Sequence, residues 1–168
     1  MTDPTVLIVM GSDSDLPTME EAAKVLTEFG VPFEMRISSA HRSPLRTAQL
    51  AHQAADRGIK LIIAAAGMAA HLAGVVAAET TLPVIGVPMG GGPLSGMDAL
   101  YATVQMPGGI PVATMAIGKA GAKKAGLFAV QVLSLNDPDL RSRFAAYRAQ
   151  MAVEVAQKDE ALQAARKG

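Results

Sequence analysis

Thr5-Val6-Leu7-Ile8-Val9-Met10, followed at once by Gly11-Ser12-Asp13-Ser14-Asp15, decides the fold. After Thr5 the run is continuously apolar and does not alternate with polar residues. That is the mark of a strand covered on both faces, the habit of parallel sheets. Past Gly11 the period becomes helical, with Met19, Ala22, Ala23, Leu26 and Phe29 on one stripe that Gly30 stops. Pro17 suits that helix's first turn.

The same alternation continues along the chain. Residues 32–37 predict a second strand, and Ser43-Pro44 an N-cap plus first-turn proline for a helix ending near Gly58. Residues 61–65 predict a third strand, residues 69–79 a helix, and residues 83–87 a short fourth strand. The segment 88–93 is too glycine-rich for a regular element. A helix begins at Ser95 or Gly96 and runs to about Val104. Residues 110–117 predict a fifth strand and residues 118–135 an Ala-rich helix. Asp137-Pro138 caps a final helix whose apolar stripe is Leu140, Phe144, Tyr147, Met151 and Val155. Alternating strand and helix with apolar strands means a parallel sheet with helices on both faces, flavodoxin-like or Rossmann-like. We expect one domain over residues 1–168, with a core of about 5–135 and a C-terminal helix of about 137–164. Ligands of such sheets bind beyond the carboxyl ends of the strands.

A chain of 168 residues suits one domain, and half of its residues are apolar, which excludes intrinsic disorder. Fifteen basic and fifteen acidic side chains give zero net charge, and the only basic pair in the core is Lys123-Lys124, so nucleic acid is not the expected partner. No cysteine is present, which excludes disulfides and thiol chemistry. Met1-Thr2-Asp3-Pro4 lacks a signal-peptide pattern, and a cytoplasmic protein is the expectation. Between Leu61 and Gly118 the only charges are Glu79 and Asp98. Gly67, His71 and Gly74 interrupt its most apolar part, so a buried strand, loop and helix fit better than a membrane span. One small domain cannot hide so long a neutral stretch, and part of it is expected between subunits.

The strand-end loops carry the chemistry. In Gly11-Ser12-Asp13-Ser14-Asp15, a glycine, hydroxyls and a helix N-terminus suit a phosphate, with Ser12 as donor and Asp15 free to bond sugar hydroxyls. The bland alternative is that these residues only cap the helix. GxGxxG and Walker patterns are absent, which disfavours dinucleotides and Walker-type nucleotide binding. Ser38-Ser39-Ala40-His41-Arg42-Ser43 packs three hydroxyls, an imidazole and a guanidinium into six residues. Arg42 suits bidentate phosphate contact. His41 can accept a proton and return it. In the loop 66–74, small residues such as Gly67 allow close ligand approach, and His71 is the only polar side chain, more often structural in such surroundings. His52 reads as part of a solvated helix face. The glycine-rich loops 90–96 and 105–109 read as a lid and a wall. No metal-ligand spacing is present, so neither metal nor cofactor is expected.

Taken together, the segments Gly11 to Asp15, Ser39-Ala40-His41-Arg42, Ala69-Ala70-His71-Leu72, Leu94-Ser95-Gly96, Gln105-Met106-Pro107, Gly109 to Val112 and Ala116 to Gly121 resemble N5-carboxyaminoimidazole ribonucleotide mutase, the class I enzyme of bacterial purine biosynthesis. The resemblance runs in register from about Val6 to Leu135. It implies a flavodoxin-like three-layer αβα sandwich, a homo-octamer, and an isomerase that moves a carboxylate from the exocyclic nitrogen to a ring carbon of aminoimidazole ribonucleotide. By position, His41 matches the catalytic histidine, and Ser12, Asp15 and Arg42 the nucleotide-binding residues. Gly11, Ser39, Gly67 and His71 fall in the loops that line the family's pocket. Class II relatives carboxylate the unmodified nucleotide with carbon dioxide. They commonly carry Lys after the motif histidine and lack Ala-Ala-His, so Arg42 and His71 favour class I. Met68 stands where glycine is common, Ala73 where proline is common, and residues 89–93 replace a more polar segment. Two other readings are a non-catalytic flavin or nucleotide module, and a receiver domain phosphorylated at Asp13 or Asp15. The latter needs a lysine on the fifth strand, and residues 112–117 have none.

Overall fold

The computed structural model describes residues 3–166; Met1, Thr2, Lys167 and Gly168, and with them part of the N-terminal reading above, lie outside it. The strands are β1 Val6–Met10, β2 Phe33–Ile37, β3 Leu61–Ala66, β4 Val84–Pro88 and β5 Ala113–Thr114. The helices are α1 Leu16–Glu28, α2 Pro44–His52, α3 Leu72–Ala78, α4 Met97–Val104, α5 Gly118–Leu133 and α6 Pro138–Arg166. All four strand pairings are parallel, in the order β2-β1-β3-β4-β5. This is the flavodoxin-like doubly wound order, and its direction reverses between β1 and β3.

Each of the three central strands buries both faces. Every residue of β1 and β4 is buried, and only Ala66 of β3 is not. On one face Leu7, Val9, Ile62, Ala64 and Val84 cluster with Ala51 near α2's end and with Leu72, Ala73 and Val76 of α3. The alternate residues Val6, Ile8, Met10, Leu61 and Ile63 point the other way and are equally buried. On that side α1 supplies Met19, Ala22, Val25 and Leu26, and α5 supplies Ala122 and Ala125. α1 and α5 meet closely, since a Cβ on Gly126 would fall 2.9 Å from the Val25 Cβ. Gly121 admits no side chain at all, because its Cβ would lie 1.6 Å from the Ala116 carbonyl oxygen.

Three expectations are corrected. β5 is two residues long rather than eight. Ile110 spends its N–H on the Pro107 carbonyl, Pro111 has none, and the ladder with β4 begins only at Ala113. α3 starts at Leu72 rather than Ala69, because Met68 and Ala70 take left-handed backbone in a turn closed by the Ala70 N–H on the Gly67 carbonyl (2.9 Å). α2 ends at His52, and a series of tight turns carries the chain to Gly58 (φ 88°).

The described chain divides into two compact units, one ending at Ala129 and the other beginning at Val130. The second holds the end of α5 and all of α6. Asp137 Oδ1 accepts the Leu140 N–H (2.9 Å), the expected N-cap. Leu140 is buried, the rings of Phe144 and Tyr147 stack at 6.2 Å, and from Arg148 to Arg166 every residue is exposed. No helix among the described residues is long and apolar enough to cross a membrane.

Candidate active site

Strand register builds the site. Met10 pairs with Ile37 on one side and Ala65 on the other, and Ala66 pairs with Pro88. The loops after β1, β2, β3 and β4 therefore leave the sheet at one level, around the β1/β3 reversal. A cavity of about 690 Å³ opens there. Gly11, Ser12, Asp15, Ser39, His41, Arg42, Gly67 and His71 all line it.

In the first loop, a single 3-10 turn over Asp13–Asp15 precedes α1. Ser12 caps that turn, with its Oγ accepting the Ser14 N–H (3.3 Å) and donating to Asp13 Oδ1 (3.1 Å). Asp15 is half-buried. Burial pushes its carboxyl above the usual aspartate value, and neighbouring Asp13 adds to the rise, while a backbone hydrogen bond at Ser12 opposes it.

In the second loop, Ser43 stands at the N-cap position of α2 but makes no side-chain cap bond. Its Oγ instead accepts the Ser39 N–H (3.0 Å) and donates to the Ser39 carbonyl (3.1 Å), pinning the loop on itself. Ser39 Oγ accepts the Arg42 N–H (3.2 Å). Arg42 Nη2 donates to the Gly11 carbonyl (2.9 Å), so the guanidinium ties the β1 and β2 loops together. Its Nε also reaches Ser39 Oγ (3.5 Å), so two of its five donors are engaged, and Arg42 and Ser12 line the same cavity.

His41 meets His71. Nε2 of His41 lies 2.6 Å from Nδ1 of His71, with the ring centroids 4.8 Å apart and the planes at 89°. The contact requires one N–H and one bare lone pair, so one ring always donates while the other accepts. His71, nominated with the pocket loops although a lone histidine in such surroundings is more often structural, lines the cavity and turns its ring to the site's other imidazole. His52, read as solvated, pairs with Glu79 (2.6 Å), which links α2 to the end of α3.

The Gly90–Gly92 segment lines the cavity, as a lid loop would, but residues 105–109 do not. Met106 is used elsewhere: a Cβ on Gly74 would lie 2.5 Å from its sulfur. Sequence reasoning missed Thr18 and Gly118, which also line the cavity. Thr18 was findable, being three residues past Asp15 on one helical face.

A doubly wound sheet with one polar, histidine-bearing cavity at its topological reversal is an α/β protein that takes a small ligand where such folds take theirs. The AIR carboxylase family profile matches residues 5–154, and the chain belongs to that family. A Bacillus subtilis protein named N5-carboxyaminoimidazole ribonucleotide mutase is 58% identical over 137 residues, covering 82% of this chain and 85% of its own. A Mycobacterium tuberculosis protein of the same name is 53% identical over 160 residues, covering 95% and 91%. The crystal structure of Treponema denticola PurE superposes with a TM-score of 0.84 at 31% identity, covering 94% of this chain and 97% of that one.

Proposed function

We propose that the protein isomerises N5-carboxyaminoimidazole ribonucleotide to 4-carboxy-5-aminoimidazole ribonucleotide in de novo purine biosynthesis. The observation that carries this reading is an imidazole pair, His41 and His71, sharing one cavity with Ser12, Asp15 and Arg42. The mutases named above, more than half identical over most of this chain, support it.

The reaction follows from the groups present. The bond from the exocyclic nitrogen to the carboxylate breaks, its electron pair stays on nitrogen, and carbon dioxide forms inside the cavity. His41 delivers a proton to that nitrogen. The ring carbon then attacks carbon dioxide to form the new C–C bond, and the proton that carbon held passes to His41. One proton leaves the imidazole and one returns, so a single residue serves both halves. Arg42, Ser12 and Ser39 hold the phosphate and Asp15 the ribose hydroxyls, which fixes the reacting ring over His41. Gly11 and Gly67 let the nucleotide approach the backbone, and His71 holds the His41 ring. The working form in this reading is a cytoplasmic homo-octamer.

Purified protein given the N5-carboxy nucleotide, without added bicarbonate, should form the carbon-carboxylated isomer. The uncarboxylated nucleotide with bicarbonate should react far more slowly. Comparable rates on both would replace the mutase with a direct carboxylase, and no product from either would remove the reading.

A further inference from the structure

Among the described residues, three that are not glycine take left-handed backbone: Met68 (φ 54°), Ala70 (φ 45°) and Ser95 (φ 52°). Ala70 is 2% exposed, and burial of its methyl group offsets the strain. Met68 has no such return. In the single chain it is 59% exposed, so a long apolar side chain lies outside the core on a backbone that glycine would adopt without strain. Two unfavourable features at one position, on the wall of the cavity that holds His41, point to a role outside the core.

The opposite loop accommodates it. A Cβ on Gly92 would lie 3.3 Å from Met68 Cγ. The same test on Gly91 meets nothing within 4 Å, and on Gly90 only Ile117 Cγ2 at 3.6 Å. Of the three glycines, Gly92 is the one whose missing side chain leaves room for Met68. Beneath them Met89 is buried, and a Cβ on Gly67 would touch its Cβ at 3.4 Å.

We propose that Met68, resting against Gly92, is the apolar cover that keeps carbon dioxide in the cavity between the breaking of one bond and the making of the next. This role rests on the mutase reading above. Carbon dioxide is small, uncharged and a poor hydrogen-bond acceptor, so what retains it is a closed apolar path rather than a polar contact. A thioether chain is flexible enough to close over the occupied cavity and to exclude water.

The measurement is a partition: uncarboxylated nucleotide released against isomer formed, corrected for loss without enzyme. Met68→Gly suits the backbone at this position and should fold at least as stably as the parent. It should nevertheless release severalfold more uncarboxylated nucleotide and incorporate severalfold more labelled carbon dioxide from the medium. Met68→Leu should stay near the parent's partition. An unchanged partition in a stably folded Met68→Gly protein overturns the cover while leaving the mutase standing. A parent protein that forms no isomer removes the mutase reading itself, and the cover with it.

Discussion

His41 Nε2 and His71 Nδ1 stand 2.6 Å apart although 30 positions separate them in the chain. β1 lies between β2 and β3, so the loops that follow β2 and β3 meet above its carboxyl end. The proton on one ring is thus tied to the state of the other. His41→Asn should lower turnover about 10²–10⁴-fold while nucleotide binding persists. Near-parental turnover would undo the shuttle. His71→Asn should also bind nucleotide but should lower kcat and displace its pH profile. A loss of thermal stability with an unmoved profile would reduce His71 to a structural part.

Arg42 and Ser12 should act through the phosphate. Arg42→Ala should weaken nucleotide binding by about 1.5–3 kcal/mol, the range for a hydrogen bond to a charged group. The dephosphorylated nucleoside should bind the parent and Arg42→Ala equally poorly. If Arg42→Ala still discriminates against the nucleoside as strongly as the parent does, the phosphate contact is wrong. Some loss of stability should accompany the change, because Arg42 also holds the Gly11 carbonyl.

The sheet was legible because β1, β3 and β4 are buried on both faces, and continuous apolar runs record that directly. β5 was over-read because Ile110 and Pro111 look like strand residues, yet neither has an N–H to give the ladder. The start of α3 was misplaced because the turn at Met68 and Ala70 leaves no periodic trace. All eight nominated pocket residues reached one cavity because each stands in a loop just past a strand's carboxyl end, which the alternation of elements reveals. Their partners were not legible. The contact of His41 with His71 and that of His52 with Glu79 depend on which strands and helices become neighbours, and local sequence does not state that.

Two carboxyls should shape the acid side of the stability curve with opposite signs. Burial raises Asp15 above its ordinary value of 3.8, with Asp13 contributing and Ser12 opposing. The folded chain then holds that proton to higher pH than the unfolded chain does. Stability from this group falls as pH rises from the ordinary value through the raised one, and the deficit persists at neutral pH. For Glu34 burial pushes upward, but hydrogen bonds from Arg57 and Arg36 prevail and hold it below its ordinary value of 4.5. Its contribution is present at neutral pH and fades as pH falls through the lowered value. Asp15→Asn should therefore raise the neutral-pH Tm and flatten the curve just above the ordinary aspartate value, while weakening nucleotide binding. Glu34→Gln should lower the neutral-pH Tm. An Asp15→Asn protein no more stable than the parent would mean that burial of this carboxyl costs nothing.

The α6 helix should take part in assembly. On its stripe Leu140 is buried and Phe144 and Tyr147 are half-buried, but Met151, Val155 and Leu162 are 40%, 66% and 52% exposed. Elsewhere Met97, Tyr101 and Val104 recur on α4 at spacings of four and three, each 43% exposed or more. Apolar side chains in such number on a chain of zero net charge favour burial against further copies, which the homo-octamer proposed above would supply. Light scattering of the full-length protein should give the mass of several copies, and a chain ending at Asn136 should give a smaller assembly. A monomeric full-length protein defeats the proposal outright. An unchanged assembly after truncation would clear α6 and leave the charge-poor middle segment, α4 included, as the interface. In that case Tyr101→Glu, which places a charge within that patch, should dissociate the truncated and the full-length chains alike.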